Sequence, residues 1–237
     1  LIGSAEVVVT GSVETDSRKV SAGSLFVAKP GDETDGHLFI ENAIANGAVA
    51  ALVERQVPGD IPQLVVSDVV LAMGILAKYV VAEVKSKGKL RVVGVTGSNG
   101  KTTTKNMLGN ILSKFGPTVA PQESFNNEVG APYSMLQINE DTEYLVVELG
   151  AGGPGSVRYL AQMCQPDVGI ELKVGLAHAG EFGGIENTQK IKAELVQELS
   201  SDSIALLNAD DAYVMQMQPM TKAKVLTFGT QTDSNYF

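Results

Sequence analysis

The stretch Arg91-Val-Val-Gly-Val-Thr-Gly-Ser-Asn-Gly-Lys-Thr-Thr-Thr104 decides how this chain is read. A β-branched apolar run passes into a glycine-rich segment, which opens onto a lysine and three hydroxyls. The pattern predicts a buried strand over Arg91–Thr96, a tight turn, and a helix from Lys101 to Phe115. Backbone N–H groups of such a turn, and of the helix N-terminus after it, point at an anion. Lys101 is placed to reach terminal phosphates, and the Thr102 hydroxyl to bind a Mg²⁺ travelling with them. Thr96, Gly97, Ser98, Asn99, Gly100, Lys101, Thr102 and Thr103 are therefore the candidate nucleotide loop. The common Walker A spacing would need glycine where Val95 stands, so this loop is shorter. The alternative is a glycine turn before an ordinary helix.

Working outward, 237 residues exceed one typical domain and leave room for two. Hydrophobic residues at 44% and charged residues at 19% describe an ordinary globular composition. A net charge of −9 excludes a broad nucleic-acid-binding surface. No apolar run approaches the roughly 20 residues that cross a bilayer, and no signal peptide opens the chain, so membrane insertion is not expected. The single cysteine, Cys164, allows no internal disulfide and fits a cytoplasmic setting; it reads as a buried inert thiol. Leu1 and Phe237 do not resemble natural termini, and a fragment is expected.

Residues 1–86 alternate short strands and helices. Strands are predicted at Glu6–Val9, Leu25–Ala28, Ala48–Val53 and Gln63–Val66, with helices at His37–Asn46 and Val69–Lys85, the second capped by Ser67 or Asp68. The polar run Lys85–Arg91 reads as a linker. Residues 87–237 then follow a βα rhythm, with strands at Arg91–Thr96, Tyr144–Leu149, Val168–Leu172, Ser203–Leu207 and Val225–Phe228. Helices are expected near Lys101–Phe115, Gly155–Met163 and Asn187–Leu199. The expected fold is α/β, a small first domain over 1–86 followed by a phosphate-loop domain over 87–237 with a mainly parallel sheet.

Ligands of open parallel sheets bind beyond the carboxyl ends of the strands. Glu148 stands at such an end, before Gly150-Ala-Gly-Gly153, either as a ligand for phosphate-bound Mg²⁺ or as a solvated edge acid. His178 lies in a glycine-dense segment, near a ligand or in the core. Lys192 by itself is an ordinary helix lysine. Asn126, Asn127 and Glu128 suit a polar substrate and equally suit a helix cap. In the first segment, Ser17 and Arg18, and the turn Pro30–His37 with Asp35 and His37, offer polar groups to an anionic nucleotide-sugar; plain surface turns are the alternative.

Taken in order, Asp16-Ser-Arg18, Asp35-Gly-His37, Thr96–Thr102, Asn126-Asn-Glu128, Glu148-Leu-Gly-Ala151, Ala177-His178 and Lys192-Ala-Glu194 resemble the Mur ligases. The resemblance covers almost the whole chain, and the short phosphate loop is that family's own version. Phe125-Asn-Asn-Glu-Val-Gly-Ala-Pro132 is most similar to the members that add D-alanyl-D-alanine to UDP-N-acetylmuramoyl-tripeptide. Members adding the third amino acid usually carry a Thr-Thr-Pro element in that region, which this chain lacks. Two positions depart from the pattern. Leu172-Lys173 stands where the family often has Thr-Asn, placing a cation near the phosphates, and Gly184 stands where serine is common. A third, C-terminal domain of the family, and part of the usual N-terminus, are expected to be missing.

The resemblance implies ATP-driven amide formation in peptidoglycan precursor synthesis. ATP phosphorylates a carboxylate, and an amine displaces phosphate from the acyl phosphate through a tetrahedral intermediate. Such phosphoryl transfer needs positioning and charge neutralisation more than covalent help. By resemblance, Lys101 neutralises the terminal phosphates, Thr102 and Glu148 hold one Mg²⁺, and His178 helps hold a second. Lys192 is the position often carbamylated in the family, which would give it anionic oxygens for metal. Asn208, in Asn208-Ala-Asp210, is a nucleotide contact near the adenine. Ser17, Arg18, Asp35, His37, Asn126, Asn127 and Glu128 would bind the UDP-linked acceptor. The expected partners are UDP-N-acetylmuramoyl-tripeptide and D-alanyl-D-alanine, with a monomeric chain. The competing readings are the ligase that adds the third amino acid, another phosphate-loop enzyme such as a kinase, and a nucleotide-binding module without turnover. A GTPase is disfavoured by the lack of an Asn-Lys-x-Asp element.

Overall fold

The computed structural model describes residues 1–31, 34–175, 179–230 and 234–236. The chain forms two compact units, Leu1–Leu76 and Ala77–Phe237.

The first unit is built on a parallel sheet of β1 (Val13–Glu14), β2 (Ser24–Val27), β3 (Ala48–Val53) and β4 (Gln63–Val65), in that spatial order. β2 and β3 are nearly continuous apolar runs because both of their faces are covered. Phe26, Ala51 and Val53 pack with Ile40 and Ala43 of α1 (Ile40–Ala45). The expected helix over His37–Asn46 is divided: a 3₁₀ turn, Gly36–Phe39, precedes α1. Asp35 starts that turn by accepting the His37 N–H at 3.0 Å. Gly47, at φ 105°, closes α1 by donating its N–H to Ile44 O at 2.9 Å. One expectation is corrected. Glu6–Val9 is not a strand, for it lies outside the sheet and leaves Val8 71% exposed; pairing begins at Val13, opposite Leu25.

α2 (Val69–Ser86) runs through the division between the units, so Lys85 and Ser86 are helical rather than linker. Asp68 Oδ1 accepts the Leu71 N–H at 2.9 Å, a side-chain cap of the kind the sequence predicts.

The second unit carries a six-stranded, all-parallel sheet. Its elements follow the chain as β5 (Arg91–Thr96), α3 (Lys101–Leu112), β6 (Thr118–Val119), α4 (Gly130–Met135), β7 (Tyr144–Glu148), α5 (Ser156–Cys164), β8 (Val168–Glu171), α6 (Ala179–Phe182), α7 (Ile185–Glu198), β9 (Ile204–Asn208), α8 (Ala212–Met215) and β10 (Lys224–Phe228). The spatial order is β10-β9-β8-β5-β7-β6. The chain leaves β5 towards one edge, returns through β7, and crosses to β8 on the other side. β5 is therefore the strand at which the connections reverse, and the crevice beyond its carboxyl end is where such sheets hold ligands. Register places Val95 opposite Glu148 and Thr96 opposite Glu171, so three strand ends converge there. One face of the sheet packs Val95, Val146 and Ile170 against Leu108 and Leu112 of α3. On another side, Ala193 and Val196 of α7, with Leu199 just beyond its end, pack with Ala205 and Leu207.

Cys164 is fully buried at the end of α5, and burial pushes its thiol up to about 12. Iodoacetamide at pH 8 is expected to leave the folded chain unlabelled and to add one carbamidomethyl group in guanidinium, as read by intact mass. Labelling of the folded chain at the unfolded rate would contradict the buried, inert assignment.

Candidate nucleotide site at the β5–α3 loop

The loop between β5 and α3 is shaped by two glycines. Gly97 has φ 152°, and a Cβ on it would meet Leu172 Cβ at 2.9 Å. Gly100 has φ 89° and opens α3. Both conformations are costly for residues with a side chain. The result is a cradle whose inner surface is backbone, at a helix N-terminus that favours negative charge.

Ser98 braces this cradle. Its N–H donates to Lys173 O at 2.8 Å, and its Oγ accepts the Gly175 N–H at 2.8 Å. Lys173, one of the two departures from the family pattern, is exposed and meets the loop through its backbone carbonyl. Thr96, fully buried, donates from Oγ1 to Leu149 O at 2.7 Å and ties neighbouring strand ends together. Asn99, Gly100 and Thr103 are exposed.

Lys101 Nζ donates to Gly97 O at 2.8 Å, so the ammonium lies within the loop. Burial lowers its pKa, and the Glu148 carboxylate opposes that shift. Glu148 is 1% exposed. Its Oε2 accepts from Thr102 Oγ1 at 3.1 Å and from Ser124 Oγ at 3.3 Å. Its Oε1 lies 3.1 Å from Lys105 Nζ, in an ion pair without the alignment of a hydrogen bond. The set fits a divalent cation bound with polyphosphate. It offers, at the mouth of an anion cradle, one hydroxyl facing Oε2 of a buried carboxylate at 3.1 Å, the hard oxygen donors such an ion takes.

Ser124 also accepts from Asn126 Nδ2 at 2.9 Å, which links Asn126 to Glu148, and Asn126 O accepts the Gly150 N–H at 2.7 Å. Asn127 acts as a cap: its Oδ1 accepts from Val129 N and Gly130 N at the start of α4. Glu128 is exposed. The three residues border a cavity of about 450 Å³ closed on the other side by residues 150–154 and Tyr159. This open pocket beside the phosphate loop suits an extended polar substrate.

Lys192 is 3% exposed on α7. Burial, then the like charge of Lys101, brings its pKa down to about 8, while Glu171 acts in the opposite sense. Lys192 therefore belongs to the charge group at the strand ends and is no surface helix lysine. Glu171 is wholly buried with neither carboxylate oxygen hydrogen-bonded, and desolvation raises its pKa well above the ordinary value. His178 lies outside the described residues. Asn208 donates from Nδ2 to Leu172 O at 2.7 Å and accepts the Asp210 N–H at 3.0 Å. It borders a separate cavity of about 430 Å³ with Phe228 and Tyr236, the right setting for a planar ring.

In the first unit, Arg18 is 87% exposed and forks onto Asp16, with Nη2 to Oδ2 at 2.7 Å. The guanidinium holds the Asp16 carboxyl down at about 2. Ser17 is buried, and its carbonyl accepts from Asn46 Nδ2 at 2.8 Å. His37 is buried with both ring nitrogens engaged. Nε2 accepts the Glu54 N–H at 2.9 Å, which leaves the proton on Nδ1 to donate to Asp35 Oδ1 at 2.6 Å. Asp35 also pairs with Arg55, and these contacts hold its carboxyl well below the usual range. His37 thus braces the turn, while Arg18 and Asp35 face outward.

Lys105, Ser124 and Glu171 are absent from the sequence-predicted set. Lys105 carried a usable signal: it is one helical turn beyond Lys101 and three residues beyond Thr102, so it shares their face.

Comparison with known proteins bears on this geometry. The Mur ligase middle domain matches residues 95–237, and the Mur ligase family catalytic domain matches residues 10–85. UDP-N-acetylmuramoyl-tripeptide–D-alanyl-D-alanine ligase of Mycobacterium leprae is 41% identical over 94% of this chain and 47% of its own length. MurF from Acinetobacter baumannii superposes with a TM-score of 0.81 at 37% identity, covering 92% of this chain and 48% of that one. MurF ligase from Thermotoga maritima, solved in complex with ADP, gives 0.81 at 34% identity over 94% of this chain and 51% of that one. The chain spans about half the length of these relatives. The middle-domain match spans residues 95–237, which include the glycine loop, its lysine and the hydroxyl–carboxylate pair, and the chain belongs to the Mur ligase family.

Proposed function

We propose that this chain is the acceptor- and nucleotide-binding portion of an ATP-dependent amide ligase of peptidoglycan precursor synthesis. It joins D-alanyl-D-alanine to UDP-N-acetylmuramoyl-tripeptide and releases ADP and phosphate. The observation that carries the reading is the contact of Thr102 Oγ1 with Glu148 Oε2 at 3.1 Å beside the Lys101 loop. The names of the relatives supply the substrates. A monomeric cytoplasmic enzyme supporting cell shape and division fits the same reading.

When bound, Mg²⁺ would neutralise charge on the polyphosphate oxygens and hold them for in-line transfer. Thr102 and Glu148 are the residues to hold it, with His178 and a carbamylated Lys192 for a second ion. The chain's own groups do the rest. The Gly97–Gly100 cradle turns backbone N–H groups onto the phosphates. Lys101 exchanges the Gly97 carbonyl for phosphate oxygens and stabilises charge as it shifts to the leaving group. Asn126 and Glu128, bordering the open cavity, orient the acceptor's terminal carboxylate and the incoming amine. Asn208 and the Phe228–Tyr236 cavity receive the adenine. Arg18, Asp35 and their neighbours Ser17 and His37 serve the UDP end.

The test is phosphate release by the full-length parent protein given ATP, Mg²⁺ and UDP-N-acetylmuramoyl-tripeptide, with and without D-alanyl-D-alanine. Release that depends on the dipeptide is expected; release at the same rate without it would refute the ligase assignment. A second result follows from the exposed fork on Asp16. Arg18→Ala is expected to raise KM for the UDP-linked acceptor by roughly tenfold, the loss of one charge-assisted contact, and to leave KM for ATP unchanged. The opposite pattern in steady-state kinetics would remove the first unit from acceptor binding.

A further inference from the structure

Lys105 is buried at 2% exposure, and its ammonium has two partners. Nζ donates to Glu123 O at 2.7 Å and lies 3.1 Å from Glu148 Oε1. A buried cation is tolerated only where its charge and donors are met. Here a donor is met by the Glu123 carbonyl, and the charge by the same carboxylate whose other oxygen faces Thr102 and Ser124. The two Glu148 oxygens are therefore unequal: Oε1 belongs to Lys105, and Oε2 is turned to the phosphate loop. Lys105 also pins the segment at Glu123, next to the Ser124 hydroxyl that touches Oε2.

We propose that Lys105 is a positioning residue that keeps Glu148 monodentate and so selects Mg²⁺ over Ca²⁺ at this site. Mg²⁺ demands near-octahedral coordination at about 2.0–2.1 Å, whereas Ca²⁺ accepts mono- or bidentate carboxylates in a flexible shell at about 2.3–2.6 Å. A cation fixed on Oε1 denies the bidentate mode. It leaves one oxygen, beside one hydroxyl, at the spacing a small octahedral ion can use. Without Lys105, the carboxylate is free to rotate and offer both oxygens, and the larger ion gains. The inference rests on the reading of Thr102 and Glu148 as a divalent-cation site.

The experiment is calorimetric ADP binding to this chain with Mg²⁺ or Ca²⁺, for wild type, Lys105→Met and Lys105→Gln. Wild type is expected to bind ADP more tightly with Mg²⁺ than with Ca²⁺. In Lys105→Met that preference is expected to shrink by roughly tenfold or more, as for other residues that orient metal ligands. Most of the change should come from stronger binding with Ca²⁺. Lys105→Gln keeps a donor for the Glu123 carbonyl and removes the charge, so it should move the preference the same way; it decides the matter if Lys105→Met does not fold. A merely structural lysine would weaken binding with both ions and leave their ratio alone. An unchanged ratio in a folded variant therefore overturns the proposal while leaving the metal site standing. If ADP binding by wild type responds to neither ion, the metal reading itself fails, and this inference with it.

Discussion

Lys101→Ala is expected to weaken Mg·ATP binding and to lower turnover of the full-length parent by roughly a hundredfold to a thousandfold, the usual cost of removing one group aimed at developing charge. The ammonium lies inside the loop on the Gly97 carbonyl at 2.8 Å, partly withdrawn from water. A charge in that setting acts on the phosphates with less screening than one on the surface. The same group helps to keep the loop in shape before nucleotide arrives, so the loss should appear in both affinity and rate. Calorimetry and steady-state kinetics on the folded variant check it. Unchanged affinity together with an unchanged rate would mean that phosphates bind elsewhere.

Lys192→Ala is expected to have an effect of similar size, with a signature of its own. A carbamate forms when a neutral amine adds to CO₂ and releases a proton. Burial and the nearby charge of Lys101 bring the Lys192 amine down to about 8. Near pH 8 roughly half of it is then neutral, against well under a hundredth of an ordinary lysine. The sign follows directly. Lowering the pH through 8 protonates the amine and should reduce turnover when bicarbonate is limiting; added bicarbonate should restore part of it. In Lys192→Ala, short carboxylic acids should recover some activity by supplying anionic oxygens. Lys190→Ala is the control: Lys190 is exposed where Lys192 is buried, and its loss should be mild. Full activity in Lys192→Ala would leave its burial without a catalytic reason.

The sequence carried the sheet well where strands are covered on both faces. β3 and β5 coincide with their predicted spans, because unbroken apolar runs bounded by turn residues leave few alternatives. Glu6–Val9 has the same local character and fails, since a strand also needs a neighbour, and pairing with β2 starts further on. The turn between β5 and α3 was legible because two glycines between an apolar strand and a helix-opening lysine leave the backbone few other courses. Lys192 was not legible from its neighbours: a lysine in a helix looks solvated until the fold buries it. Lys105 was missed for the same reason, although its spacing from Thr102 put it on the right face. Asn127 shows the converse. Its functional and capping readings were equal in the sequence, and the hydrogen bonds to Val129 and Gly130 give it a capping role. At Lys173 the residue type gave no hint that the loop would meet its backbone carbonyl.

If a carboxylate is activated by phosphoryl transfer at the β5–α3 loop, the fate of one oxygen shows it most directly. UDP-N-acetylmuramoyl-tripeptide carrying heavy-isotope oxygen in its terminal carboxylate would be turned over by the full-length parent with ATP, Mg²⁺ and D-alanyl-D-alanine, and the released phosphate analysed by mass spectrometry. An acyl phosphate route moves one labelled oxygen from the carboxylate to phosphate with each amide bond formed. Phosphate that carries no label while amide accumulates would contradict the account.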